Sequence, residues 1–140
     1  MTKIVLIGAG SSQFGLGTVS DIFKSKTLKD CTVTLHDINK KALEKTKSTA
    51  EKYLSSFDTN CKIEATINRK EALQNADYCV ISIEVGNRFD LWDQDWKIPL
   101  QYGFKQIYGE NGGPGGLFHS LRITPVIIDI CEDINNICPD

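Results

Sequence analysis

The opening stretch KIVLIGAGSS, residues 3–12, limits the fold more than any other feature: a β-branched apolar run ends in two glycines one residue apart. Such a run, without polar alternation, reads as a strand buried on both faces, which is the habit of parallel sheets. Parallel strands need crossovers, and the chain supplies helix signals between strand signals. A helix is predicted from about Leu16 to Lys26, followed by a strand at TVTLHDI (32–38). From Asn39 a second helix collects Ala42, Leu43, Thr46, Ala50, Tyr53, Leu54 and Phe57 on one stripe. CKIEATI (61–67) predicts a third strand, RKEALQNAD a short helix, and YCVISIEV (78–85) a fourth strand. Right-handed crossovers between such strands give an α/β, doubly wound parallel sheet.

The segment Gly8-Ala9-Gly10-Ser11-Ser12-Gln13 lies between a predicted strand and a predicted helix, the setting that gives a glycine fingerprint meaning. Gly8 permits a tight turn, Gly10 admits backbone close to a pyrophosphate, and the helix N-terminus favours that charge. Gln13 stands where the fingerprint wants its third glycine, which leaves Gly15 and Gly17 to supply slack further on. Asp37, near the end of the second strand, can accept both ribose hydroxyls and repel a 2′-phosphate, favouring NAD over NADP. Val85, at the end of the fourth strand, and Asn87, just after it, complete the expected cofactor contacts. The same residues admit a plainer reading, in which the glycines form a structural turn and Asp37 caps the next helix. His36 reads as a strand-end side chain rather than a catalyst.

With 140 residues, 41% hydrophobic and 24% charged, the chain has the composition of one ordinary domain. Net charge is −2 and the basic residues are scattered, so no nucleic-acid partner is expected. No 18-residue apolar run and no signal peptide is visible, so no membrane association and a cytoplasmic location are expected. Five cysteines (Cys31, Cys61, Cys79, Cys131, Cys138), odd in number and never spaced C-x-x-C, read as reduced, partly buried thiols. The stretch NRFDLWDQDWKIPLQYGFKQIYG (87–109) predicts an aromatic-rich helix and loop.

GENGGPGGLFHSLR (109–122) has the composition of a linker, but Leu117, Leu121, Ile127, Ile130, Ile134 and Ile137 follow at helical spacing. It therefore reads as an active-site loop at the carboxyl edge of the sheet, running into a helix. Pro125 inside that helix predicts a kink there, or a restart with Thr124 as N-cap.

Taken together, IGAGS, LHDIN, W..DW.IPLQYG and GENGGPGGLFHSLRITPVIIDICEDINNICPD resemble the NAD- and metal-dependent glycosidases of glycoside hydrolase family 4. The pattern G-P-G-G-[apolar]-x-x-x-L-R-x-x-P at 113–125 is the most specific part. The resemblance implies a Rossmann-like, lactate/malate dehydrogenase-like NAD-binding domain over 1–140. It also implies a substrate domain further along a longer protein, and a fragment inactive by itself. Its implied cofactors are NAD and Mn2+ or another divalent metal. No metal ligand falls in this chain, because the family's Cys and His ligands, general acid and tyrosine base lie beyond residue 140.

The implied chemistry is transient oxidation at C3 of the sugar, loss of the acidified C2 proton, elimination of the aglycone, addition of water and return of the hydride. The implied partner is a small-molecule glycoside, in a homo-oligomer. By the resemblance, Gly8, Gly10 and Ser11 match the pyrophosphate loop and Asp37 the ribose acid. Glu110 matches an auxiliary carboxylate that tunes the tyrosine base; it also reads as a solvated loop acid. Members acting on 6-phosphorylated sugars carry an arginine six residues before the IP motif, where this chain has Trp92. That departure leans toward unphosphorylated α-galactosides or uronides, with Arg88 and Trp92 as substrate contacts. Arg88 and Arg122 read equally as anion contacts or structural ion-pair partners. Two other readings stay open: a 2-hydroxy-acid dehydrogenase, and a stand-alone NAD-binding module. Without a partner domain, Trp92, Trp96, Phe104 and the 117–137 helix are expected to drive self-association.

Overall fold

The computed structural model describes residues 1–11, 14–106 and 112–139. In chain order the elements are β1 (Thr2–Ile7), α1 (Phe14–Lys24), β2 (Cys31–His36), α2 (Lys40–Leu54), β3 (Lys62–Thr66), α3 (Arg69–Leu73), β4 (Tyr78–Ile81), α4 (Arg88–Gln101) and α5 (Gly113–Ile137). The four strands form one parallel sheet in the order β3-β2-β1-β4. Chain direction across the sheet runs outward from β1 to β3 and then reverses to β4. Right-handed crossovers therefore place α1 and α2 on one face and the return through α3 on the other, the doubly wound arrangement of a Rossmann-like fold.

By contacts the chain divides into two compact units, Met1–Ile83 with Asp133–Asp140, and Glu84–Glu132. In the first, Ile4, Leu6, Val33 and Leu35 are buried in the central strands, with Val19, Ile22 and Phe23 of α1 and Leu43 and Ala50 of α2 packed against them. Each such aliphatic side chain contributes roughly 1.5–3 kcal/mol by leaving water. Asn39 starts α2 by accepting the Ala42 N–H on its side chain at 3.1 Å, and Asn68 does the same for α3. The expected α2 stripe holds at Leu43, Thr46 and Ala50, but Tyr53 is 50% exposed. Leu54, four residues after Ala50, takes the core-facing place together with Phe57, whose ring meets Phe23 at 6.1 Å.

The fourth strand is shorter than its apolar run, ending at Ile81 rather than Val85. Among the described residues β4 pairs with β1 alone, and β1 turns away at Gly8, so the ladder runs out after the Ser82 N–H bond to the Ile7 carbonyl at 2.9 Å.

In the second unit, the GPGG segment expected as a loop is the first turn of α5. Gly112 and Gly113 take φ of +113° and +66°, and Gly115 and Gly116 are buried within the helix. Side chains rarely adopt those angles, which explains the glycines at 112 and 113. α5 then runs through Pro125 without the expected restart at Thr124. No helix among the described residues is long and apolar enough to cross a membrane.

Candidate functional site

The parallel register sets Ile7, His36, Thr66 and Ile81 at one edge of the sheet, the carboxyl edge where doubly wound folds bind ligands. There the β1–α1 turn is made by Gly8, whose φ is +91°. Both Gly8 N–H and Ala9 N–H donate to the His36 carbonyl, at 2.9 and 3.0 Å. A Cβ on Gly8 would lie 1.9 Å from the Ser82 carbonyl oxygen, so no other residue fits. His36 itself is buried, with Nδ1 3.0 Å from the Thr66 carbonyl, an acceptor that fixes the proton on Nδ1.

Gly10 stands against Asp37. Its N–H donates to Asp37 Oδ2 at 2.8 Å, while Asn39 N–H donates to Oδ1 at 2.8 Å. A Cβ at Gly10 would come within 2.6 Å of Oδ2, so the bare backbone is what lets turn and carboxylate meet. Ser11 Oγ accepts the Phe14 N–H at 3.3 Å and caps α1, whose N-terminus opens beside the turn. The fingerprint's missing third glycine is supplied by Gly15, two residues late. Its Cβ would meet the Ala9 carbonyl oxygen at 2.3 Å, so α1 lies directly on the turn, while Gly17 has nothing within 4 Å. Bare backbone, a helix N-terminus and a carboxylate on the next strand suit the pyrophosphate and ribose of a dinucleotide.

The second unit holds a polar cluster that sequence reasoning only partly anticipated. Asp95, 3% exposed, is gripped bidentately by Arg122, through Nη1 to Oδ1 at 3.0 Å and Nη2 to Oδ2. The hydrogen bond to Asp95 raises the Arg122 guanidinium above its ordinary value, against the opposing effect of burial, and the charges of Asp95 and Glu84 add to the rise. Gln106 donates to the Asp95 carbonyl at 2.8 Å and accepts Gly115 N–H at 3.4 Å, tying α4 to the first turn of α5. Glu84 faces the Arg88 guanidinium, with Nε at 3.8 Å, and the His119 ring, with Nδ1 at 3.9 Å. Arg88 also lies over the Trp92 ring at 4.3 Å, and Phe89 meets that ring edge-on.

Gly8, Gly10, Ser11 and Asp37 thus converge in the first unit. Val85, Asn87, Arg88 and Trp92 belong to the second, where Asn87 precedes α4 and donates to Asp90 at 2.6 Å. Ser12, Gln13 and Glu110 lie outside the described residues. Among the described residues, no three of His, Cys, Asp and Glu gather into a group that could hold a metal. Asp95 was missed as a partner because its pairing with Arg122 spans 27 positions. In the sequence it is one of three acids of α4, with Asp90 and Asp93, and burial alone sets it apart. Gly15 was legible as a glycine but not as a contact, since its neighbour is backbone.

A family model described as family 4 glycosyl hydrolase matches residues 3–140. An α-glucosidase from Erwinia rhapontici is 59% identical over 139 residues, covering 99% of this chain and 31% of its own length. An α-galactosidase from Bacillus subtilis is 36% identical over 140 residues, covering 100% of this chain and 32% of its own. The chain therefore spans about a third of the length of the curated relatives it matches. Among solved structures, a 6-phospho-α-glucosidase from gut microorganisms in complex with NAD and glucose-6-phosphate has a TM-score of 0.79 at 25% identity, over 96% of this chain and 31% of that one. A 6-phospho-β-glucosidase from Thermotoga maritima with NAD and glucose-6-phosphate has a TM-score of 0.82 over 96% of this chain and 31% of that one; at 20% identity it speaks for the fold. With residues 3–140 matched by one family model, and with the glycine turn and acid that a dinucleotide fold requires, the chain belongs to the family 4 glycosyl hydrolases.

Proposed function

We propose that this chain is the NAD-binding portion of a glycosidase that cleaves O-glycosides through transient oxidation of the sugar. The observation that carries the reading is the meeting of Gly10 with Asp37, where a bare backbone N–H and a strand-end carboxylate share one hydrogen bond of 2.8 Å. Gly8, Gly10 and Ser11 would hold the pyrophosphate, and Asp37 the adenosine ribose hydroxyls. When bound, NAD supplies a hydride acceptor and a divalent metal supplies a Lewis acid for the sugar oxygens. Asp37 repels a 2′-phosphate, so the chain prefers NAD to NADP. Support for the cofactor comes also from the family's solved members, crystallised with NAD and, in two cases, with manganese as well.

For the substrate we propose an unphosphorylated α-glycoside. Trp92, with Arg88 stacked on it, offers an aromatic face and a partly neutralised cation rather than an arginine fork for phosphate. The 59% identity to a protein named α-glucosidase favours a glucoside over the galactoside or uronide that the sequence suggested. Glu110 is proposed as an auxiliary carboxylate that raises the basicity of a tyrosine outside this chain.

Calorimetric titration of the folded chain with NAD and with NADP tests the cofactor. Micromolar heat with NAD and weaker heat with NADP is expected; no binding of either would end the reading. A panel of nitrophenyl glycosides, with and without 6-phosphate, tests the substrate on a protein of the relatives' full length that carries this segment. Turnover confined to phosphorylated sugars would overturn the substrate assignment alone.

A further inference from the structure

Two of the five cysteines meet where β2 and β3 begin. The register that pairs Thr32 with Lys62 brings Cys31 beside Cys61 one step earlier. Neighbouring strands lie ~4.8 Å apart, inside the ~4.4–6.8 Å that a disulfide spans between Cα atoms. Both thiols are free, and their sulfurs are in hydrogen-bond contact at 3.0 Å.

The surroundings of the two sulfurs differ. Cys31 is 0% exposed, whereas Cys61 is 5% exposed and stands just before an edge strand. Cys61 Sγ lies 3.1 Å from the Thr59 hydroxyl, whose one proton is shared between that sulfur and the Lys29 carbonyl at 3.0 Å, and its own S–H donates to the Leu28 carbonyl at 3.1 Å. Of the two sulfurs, Cys61 is thus the one that both the Thr59 hydroxyl and the Cys31 thiol can donate to, and the one that solvent reaches, which makes it the sulfur an oxidant meets first. Cys31 has no such support. Burial, then the contact with Cys61 and the charges of Cys61 and Asp30, push its thiol up to about 12, so it stays protonated.

We propose that Cys61 and Cys31 form a hydroperoxide-reactive dithiol, in which Cys61 is the sulfur oxidised first and Cys31 resolves it into a Cys31–Cys61 disulfide. In the first step the Cys61 thiolate attacks one oxygen of hydrogen peroxide. The S–O bond forms, the O–O bond breaks, and the departing hydroxide takes a proton and leaves as water. In the second step Cys31 sulfur attacks the sulfenic sulfur, the S–S bond forms and the S–O bond breaks. The leaving hydroxide departs as water with the Cys31 proton. Two thiols lose two electrons and one peroxide becomes two waters. At 5% exposure Cys61 suits attack by a water-sized oxidant better than by a bulky disulfide such as glutathione disulfide. The pair lies at the amino ends of the strands, whereas the Gly8–Asp37 turn lies at their carboxyl ends.

The test treats the folded chain with stoichiometric hydrogen peroxide, alkylates free thiols and maps peptides. The expected product has lost two hydrogens and carries a Cys31–Cys61 link that a reductant reverses. Cys31→Ala should stop at a sulfenic acid on Cys61, trapped by dimedone, and Cys61→Ala should leave Cys31 unreacted, with circular dichroism checking both folds. Should either variant unfold, a short time course on the unaltered chain serves instead, with dimedone expected on Cys61 before the link appears. Absence of the link in folded chain, a link formed only in urea, a link between other cysteines in its place, or dimedone first on Cys31 would each overturn the proposal.

Discussion

The same substitution made two residues apart in α1 should act with opposite sign. Gly15 and Gly17 both have ordinary helical backbone, so alanine is allowed at each by φ and ψ. At Gly17, exposed and with nothing within 4 Å of a new Cβ, the change removes the glycine penalty of a helix interior. The expected gain is ~0.8–1 kcal/mol. At Gly15 the same gain is opposed by overlap, because the Cβ would lie 2.3 Å from the Ala9 carbonyl oxygen and 3.0 Å from its carbon, where ordinary contact begins at 3.4 Å. These atoms are backbone, so no side chain can swing aside and α1 or the turn must shift by about an ångström. Overpacking of this kind costs ~1–3 kcal/mol, which leaves Gly15→Ala neutral to ~2 kcal/mol destabilising. Urea denaturation followed by circular dichroism reads both, and calorimetry should show the Gly15→Ala turn binding NAD more weakly than Gly17→Ala. Equal stabilisation by the two alanines would refute the assignment of Gly15 as the glycine that seats α1 on the turn.

Asp37→Asn should weaken NAD about tenfold and narrow the preference over NADP, since a charge-assisted hydrogen bond exceeds a neutral one by ~1.4 kcal/mol; unchanged selectivity in calorimetry would contradict the role of that carboxylate. Arg122→Met leaves Asp95 buried without its bidentate partner and should cost ~3 kcal/mol, while Asp95→Leu with Arg122→Met should recover most of it; a double-mutant cycle that proves additive would disprove the coupling. The Cys31 thiol titrates near 9.0 when unfolded and about 12 when folded, so between those values the native chain keeps a proton that the unfolded chain has released. Through Cys31 stability should therefore fall with rising pH across that window by at most ~1.4 kcal/mol per unit, Cys79, which burial pushes up to about 11, adding to the fall, and Cys31→Ala should reduce the slope in a melting series. Leu121 and Ile128 are exposed on α5, so sedimentation should show self-association that Leu121→Glu with Ile128→Glu reduces; a monomer at all concentrations would remove the expectation.

The alternation of apolar strands with amphipathic helices, and the acid at the end of β2, were legible in the sequence because they are local patterns. KIVLIGAG cannot be other than a buried strand entering a glycine turn, and Asn39 announces the start of α2 by its own side chain. What was misread depended on neighbours. β4 stops at Ile81 although the apolar run continues, since its partner β1 has turned away. GPGG looked like a loop because glycine and proline break helices on average, yet bonds from Gln106, itself held by the Asp95 carbonyl, help organise it as a first turn. By itself, then, the sequence determined the doubly wound sheet, the turn at Gly8 and Gly10, and the carboxylate at Asp37. Only the tertiary structure decided that Gly15 is the third glycine, that Arg122 is held by Asp95, and that Cys31 and Cys61 touch. Each of those depends on atoms brought together from distant positions or on bare backbone, and neither leaves a periodic trace in a string of residues.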